Sequence, residues 1–179
     1  MPEDAGTSSA ERDSPDRLLS ETGAALAAAV VLAVPGWVRG AVDDVLEAWT
    51  AAGGELRPEA GDADAVARRA AEAGEAAQRA VSDDLRRLLA ADVDAQWTTP
   101  LSMVRALVVF PTEVLVQAGV SPLGRDRFDE QRFPSDPYGL TPASLRALGP
   151  EVAERALAWG AAKAAAHRAR HGSPGGQGH

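Results

Sequence analysis

The sequence predicts an all-α protein, an irregular or orthogonal bundle of about six to eight helices, from three observations. Alanine and leucine dominate the apolar residues and aromatic residues are only 4% of the chain, a balance that favours helix over sheet. Several Ser/Thr-Pro pairs occur where apolar periodicity begins, as at helix N-termini. Glycines occur where that periodicity stops, as at helix C-termini.

We expect one helical domain over residues 14–171, flanked by disordered tails at 1–13 and 172–179. A chain of 179 residues is long enough to build one hydrophobic core. The first tail is polar and lacks apolar periodicity, and the last is rich in glycine, so neither composition sustains a packed structure. The prediction is therefore a single core with polar ends.

The first two predicted helices are separated by Pro35 and Gly36. The first begins at Ser14 and runs to about Val34. Its apolar stretch is well short of the roughly 20 residues that span a bilayer, so we interpret it as a buried core helix. Proline in a helix interior breaks or kinks the helix. A second helix then runs to Gly53, with an apolar stripe formed by Trp37, Val38, Val42, Val45, Leu46 and Trp49.

The longest periodic segment runs from Asp64 to about Asp94, and it carries an alanine-lined apolar face. That face consists of Val66, Ala70, Ala73, Ala77, Val81, Leu85 and Leu88. Small residues let a neighbouring helix approach closely. The neighbour is either another helix of the same chain or a second copy, which makes this face a candidate dimer seam.

The remaining helices are predicted from start signals in which a capping residue or glycine precedes proline. These signals are Thr99-Pro100, Thr141-Pro142 and Gly149-Pro150. The first helix continues to Gly119, and Pro111 must kink it or split it in two. The second helix is short, and the third runs to about His171.

Charge and composition exclude several function classes. The net charge is −8, and an acidic first third of the chain would repel phosphate backbones, so nucleic acid and basic membrane binding are not expected. The N-terminus lacks the basic start and early apolar run of a signal peptide, which predicts a cytoplasmic protein. Cysteine is absent, which removes disulfides, thiolate nucleophiles and Cys-ligated metals.

Two patterns have the spacing of metal ligands, but we assign neither a metal nor any other cofactor. Asp43, Asp44 and Glu47 form a DDxxE string on a predicted helix, as in magnesium sites of all-α prenyl-transferring enzymes. His167 and His171 lie four residues apart without a third ligand. Acids on the exposed side of an amphipathic helix and cations at a helix C-terminus explain both patterns.

No catalytic residue is assigned, because nucleophile elbows, phosphate-binding loops and dinucleotide-binding turns are all missing from the sequence. Whether the chain is an enzyme stays open. A carboxylate with a raised pKa in a buried site would carry no sequence signature.

The most distinctive region runs from Trp97 to Tyr138, where most of the aromatic residues are mixed with arginines and acids. Such enrichment is typical of interface hot spots. The same residues would also fasten a long Pro-rich connection onto the bundle, and we favour that interpretation slightly. The candidate partner-binding residues are Trp97, Arg125, Asp126, Arg127, Phe128, Arg132, Phe133 and Tyr138.

A resemblance covers roughly residues 95–165, through the segments WTTPLSMVRALVVFPTEVLVQAGV, RDRFDEQRFPSDPYGLTPASL and LAWGAAKA. In these segments the chain resembles a group of small all-helical actinobacterial hypothetical proteins. The resemblance implies a bacterial origin and no particular activity.

The sequence therefore favours a helical protein that docks a protein partner or acts as a regulatory module. The alternative is a bundle that binds a small molecule, or a small metal-dependent enzyme, with carboxylates in a cavity between helices. A homodimer is the third hypothesis.

Overall fold

The computed structural model describes residues 14–91, 98–122 and 136–172. Their helices are α1 (Pro15–Ala51), α2 (Ala63–Ala90), α3 (Pro100–Ala106), α4 (Val109–Ala118) and α5 (Pro150–His171). Two 3₁₀ turns, Pro58–Ala60 and Leu145–Leu148, complete the regular structure of these ranges. The prediction of an all-α fold is confirmed. The count of six to eight helices is wrong for the described ranges. Since α3 and α4 are two parts of one helical stretch, Pro100–Ala118, these five segments make four helices.

Pro35 does not end the first helix, and α1 runs through it without interruption. A proline has no N–H, so the carbonyl oxygen of Val31, four residues earlier, loses its helical donor. The side chain of Gln78 on α2 supplies the missing donor, with Nε2 at 2.9 Å from that oxygen. The predicted pair of separate helices is therefore one helix, because a neighbouring element replaces the hydrogen bond that proline removes.

Close packing of α2 against α1 at Pro35 depends on Gly74. A Cβ atom at this position would lie 2.9 Å from Cα of Pro35, too close for any other residue without a shift of one helix. Gln78 lies one turn further along α2, on the same face. Gly74 thus permits the close approach of α2 to α1, and at this distance Gln78 can bond to the carbonyl oxygen of Val31.

Pro111 splits the next helical stretch, which was one of two predicted outcomes. The amides of Leu107, Val108 and Phe110 all bond to carbonyls three residues back, at 3.0, 3.3 and 3.1 Å, and this is 3₁₀ geometry. The proline ring crowds the carbonyl of Leu107, four residues before it. The chain tightens there, so α3 ends at Ala106 and α4 begins at Val109.

The predicted helix starts have mixed outcomes. Thr99 caps α3, since its Oγ1 accepts a hydrogen bond from the amide of Ser102 at 3.2 Å. Ser14 precedes α1, but its side chain makes no capping bond. The helix predicted to begin at Pro142 is wrong, because regular structure begins only with the 3₁₀ turn at Leu145.

Two clusters of apolar side chains form the core along α1 and α2. The larger contains Leu26, Val30, Val34 and Val38 of α1 with the C-terminal half of α2 and the start of α5. The smaller surrounds Val42 and includes residues of α4 and the N-terminal half of α2. The described part of the predicted domain 14–171 thus holds these two cores, which meet between Val38 and Val42 of α1, and a third, small cluster of Leu19, Ala162 and Ala166.

The alanine-lined face of α2 packs within the chain. Ala70 and Ala77 are 1% and 0% exposed, and Val66, Val81 and Leu85 are also buried. The periodicity predicted this face correctly. Because this face contacts α1 and the other helices of the bundle, it is not the seam of a dimer.

Two stretches, Pro15–Ala51 and Pro100–Ala118, are long and apolar enough to cross a membrane by length and composition. Their most apolar windows have mean hydropathies of 1.8 and 1.5, and 39% of each is buried in the fold. Core helices of soluble proteins pass the same test. Within the apolar stretch of α1, Leu26, Val30 and Val34 are buried as predicted, whereas Leu32 is exposed.

Candidate functional site

Most of the predicted partner-binding residues lie outside the described residues. Trp97, Arg125, Asp126, Arg127, Phe128, Arg132 and Phe133 all fall within 92–97 or 123–135, so their part in binding stays a prediction. Tyr138 is described, together with the segment that follows it. We call residues 136–149, which lead from Asp136 to the start of α5, the ridge.

Asp136 holds the first turn of the ridge together. Its Oδ1 accepts a hydrogen bond from the amide of Leu140 at 2.8 Å, and Oδ2 accepts from the amide and the hydroxyl of Thr141 at 2.8 and 2.6 Å. The residue is 5% exposed and is the one charged residue buried among the described ranges. A buried carboxylate requires such donors, so Asp136 fixes the path of the ridge.

Tyr138 anchors the ridge to the end of α4. Its phenol donates a hydrogen bond to the carbonyl oxygen of Val120 at 2.7 Å, and its ring packs against the smaller core. Burial raises the pKa of Tyr138 above its usual value of 10.0, and the nearby Arg57 opposes this shift. Tyr138 is thus a packing residue in this fold, and its predicted contact with a partner remains a prediction.

Arg105 of α3 ties the middle of the ridge to the bundle. Its guanidinium donates to the carbonyl oxygens of Pro142 and Ala143 at 3.0 and 3.2 Å. Buried Leu148 then inserts the end of the ridge into the larger core. The ridge is thus attached to the bundle through Tyr138, Arg105 and Leu148, and it forms a wall of the clefts on either side.

The first cleft lies between the ridge, α3 and α5, and we call it the apolar cleft. It is an open depression of about 380 Å³, lined by Leu101, Ser144, Leu145, Arg146, Ala153, Ala156 and Leu157. Leu157 is 74% exposed although it borders this concave surface. The cleft therefore offers an apolar floor with one cationic side chain.

The second cleft lies between the ridge and α1, and we call it the Trp37 cleft. It is an open depression of about 370 Å³, lined by Trp37, Gly40, Ala41, Asp44, Gly139, Leu140 and Ala147. Trp37, Gly40, Ala41 and Asp44 share one face of α1. Its chemistry differs from that of the apolar cleft, because an aromatic side chain and a carboxylate replace the leucines.

The structure places the two metal-like patterns on exposed helix faces. Asp43, Asp44 and Glu47 are exposed on α1, as predicted. The rings of His167 and His171 lie 4.6 Å apart at the exposed end of α5. Within residues 14–91, 98–122 and 136–172, no group of three or more His, Asp or Glu side chains is placed to hold a metal ion.

Sequence reasoning missed both clefts. The shared face of Trp37 and Asp44 was readable from their spacing of seven residues, but not that the ridge would pack beside it. The sequence predicts that Leu157 lies in an amphipathic helix, but it does not predict that this leucine is exposed. Both clefts depend on the ridge. Its conformation and position depend on hydrogen bonds of Asp136 and Arg105 that no sequence pattern predicts.

Comparison of the chain with protein-family models, curated proteins and solved structures finds no match. The resemblance to small actinobacterial proteins therefore stays a prediction, and the function is argued from the geometry alone.

Proposed function

We propose that the chain is a helical interaction module that docks an amphipathic helix of a protein partner in the apolar cleft. The observation that carries the proposal is Leu157, a leucine 74% exposed at the edge of a concave apolar surface. Amphipathic helices bind such grooves through apolar residues at spacings of three and four. Covering a leucine of this exposure contributes about 2 kcal/mol to binding.

The charge of the cleft indicates the chemistry of the partner. Arg146 is the charged residue in its lining, and an arginine at the rim of an apolar groove forms bidentate hydrogen bonds with carboxylates. The partner helix should therefore combine an apolar stripe with an aspartate or glutamate at one edge. A basic helix would be repelled.

Selection from a displayed library of amphipathic peptides tests this proposal. We expect enriched peptides to carry apolar residues at i, i+3 or i+4 and i+7, with an acidic residue beside them. Arg146→Glu should weaken those peptides about fivefold to tenfold through like-charge repulsion, measured by fluorescence anisotropy. Arg155→Glu is the control, since Arg155 lies on α5 outside the lining.

Two outcomes would contradict the proposal. One is a library that yields no peptide with a helical apolar stripe. The other is a set of peptides whose affinity for the Arg146→Glu and Arg155→Glu variants is equal, because the charge that matters would then lie outside the apolar cleft.

We also propose that this docking takes place in the cytoplasm, without nucleic acid or membrane. The net charge of −8 and the packing of α1 within the bundle support this part of the proposal. Flotation with anionic and zwitterionic vesicles is the test. Protein recovered with either vesicle type would contradict it, and would implicate the apolar stretches of α1 or of α3 and α4.

A further inference from the structure

We infer that the Trp37 cleft binds the side chain of an arginine carried by a peptide or protein. The site is separate from the apolar cleft and does not rest on the function proposed for it. Its parts are the indole of Trp37, the carboxylate of Asp44 and the small residues Gly40 and Ala41 between them.

The dimensions of the cleft favour a long cation. Trp37 and Asp44 are seven residues apart, about 10.5 Å along the helix axis, so a compact ion would reach only one of them. An arginine has an apolar stem that can lie over Gly40 and Ala41 against the indole, while its guanidinium reaches the carboxylate. Long cationic side chains often divide their contacts in this way.

The charges around the cleft favour a cation over an anion. Asp44 makes no hydrogen bond or ion pair with any other described residue, and exposed Asp43 and Glu47 add negative charge nearby. A planar guanidinium can form two parallel hydrogen bonds with one carboxylate. The acids would also repel the α-carboxylate of free arginine, so an arginine within a polypeptide is the better ligand.

Gly40 provides further support. A Cβ at this position would have no atom within 4 Å, so packing does not require glycine there. Glycine in a helix interior costs about 0.5–1 kcal/mol relative to alanine. Glycine at this position leaves the floor of the cleft open for the stem of an arginine. Gly139, opposite, is required by its positive φ of 71°.

The ligand and its analogues can be compared by NMR of the tryptophan indole groups, on the full chain. Four tryptophans give few signals, and a Trp37→Phe variant assigns the signal of Trp37. We expect acetyl-Ala-Arg-Ala-amide to shift the Trp37 signal with a Kd of about a millimolar. The matched peptide with citrulline, which is uncharged and nearly isosteric, should bind at least about tenfold more weakly.

Two variants with a matched control locate the contact. Asp44→Asn should weaken the arginine peptide about tenfold, whereas Asp43→Asn, one residue away but outside the lining, should change its Kd less than about twofold. Gly40→Leu should abolish the shift by filling the floor. The other indole signals serve as internal controls that each variant remains folded.

Several results would overturn the inference. They are an unshifted Trp37 signal, equal binding of the arginine and citrulline peptides, equal loss in the Asp43→Asn and Asp44→Asn variants, or tighter binding of free arginine than of the peptide. None of these results bears on the apolar cleft, whose failure would be seen in the peptide selection alone.

Discussion

The apolar cleft and the Trp37 cleft share one wall and differ in the other. The ridge contributes Ser144, Leu145 and Arg146 to the first cleft and Gly139, Leu140 and Ala147 to the second. Leucines of α3 and α5 complete the first, whereas an indole and a carboxylate of α1 complete the second. One loop thus helps to form two surfaces of different chemistry.

The position and the chemistry of the two clefts have separate origins in this protein. Position comes from the ridge, which Tyr138 and Arg105 fasten to the bundle and whose first turn Asp136 holds together. Chemistry comes from the helix on each side. A change in the ridge should therefore disturb both clefts, and a change in one helix should disturb only the cleft that it lines.

The largest effect is expected from Asp136→Ala. The substitution leaves the amides of Leu140 and Thr141 and the Thr141 hydroxyl without their acceptor, and should lower the free energy of unfolding by about 3 kcal/mol. Urea denaturation measures the loss. Both the helical peptides and the arginine peptide should bind more weakly, because the shared wall is no longer fixed.

Asp43→Ala is the control for that substitution, since Asp43 is exposed and should change stability by less than about 0.5 kcal/mol. If Asp136→Ala weakened only one ligand, the ridge would not be a common wall, and the comparison of the two clefts would have to be abandoned.

The next effect is expected from Gln78→Met, which removes the donor to the carbonyl oxygen of Val31. We expect a loss of about 1–2 kcal/mol in unfolding free energy. The loss should be smaller in a Pro35→Ala background, because alanine restores the N–H that proline lacks. A double-mutant cycle by urea denaturation measures this coupling.

Gln78→Met should also affect the two clefts differently. Pro35 lies two residues before Trp37, so Gln78→Met should weaken the arginine peptide more than the helical peptides. Equal losses of stability in the wild-type and Pro35→Ala backgrounds would show that the hydrogen bond to Val31 does not compensate for the proline.

The smallest effect is expected from pH, through Tyr138. The pKa of Tyr138 is raised in the fold. At a pH between its pKa in the unfolded chain and its pKa in the folded chain, the folded chain therefore keeps a proton that the unfolded chain has lost. Stability should therefore fall as pH rises above about 10, and this group should add no pH dependence below that range. Denaturation midpoints of the wild type and Tyr138→Phe, compared across this range, measure the effect.

Tyr138 is the one tyrosine of the chain, so the near-ultraviolet absorbance of its phenolate follows its titration directly. A folded protein that titrates at or below the pH at which the urea-unfolded chain titrates would contradict the burial of this side chain.

The sequence was sufficient to predict structure that depends on neighbouring residues. The all-α class, the Thr99 cap and the buried face of α2 follow from capping chemistry and periodicity. The continuity of α1 does not, because Gln78 lies far from Val31 in sequence. Nothing local distinguishes Pro35, which α1 runs through, from Pro111, which splits its helix.

The candidate site was less predictable for the same reason. The spacing of Trp37 and Asp44 was visible, but a cleft needs two walls, and the second wall is positioned by hydrogen bonds of Arg105 and Tyr138 to residues 18 or more positions away in the sequence. The density of aromatic and arginine residues instead drew attention to residues 97–138, of which only part is described.

Leu157→Glu and Leu32→Glu together test whether the apolar cleft docks a partner helix. Both leucines lie within helices, at 74% and 75% exposure, but Leu157 lines the apolar cleft, whereas Leu32 lines a separate cleft beside Arg86 of α2. By fluorescence anisotropy with a selected helical peptide, Leu157→Glu should weaken binding at least about thirtyfold, and Leu32→Glu less than about twofold. Equal affinities, or a loss confined to Leu32→Glu, would contradict the account.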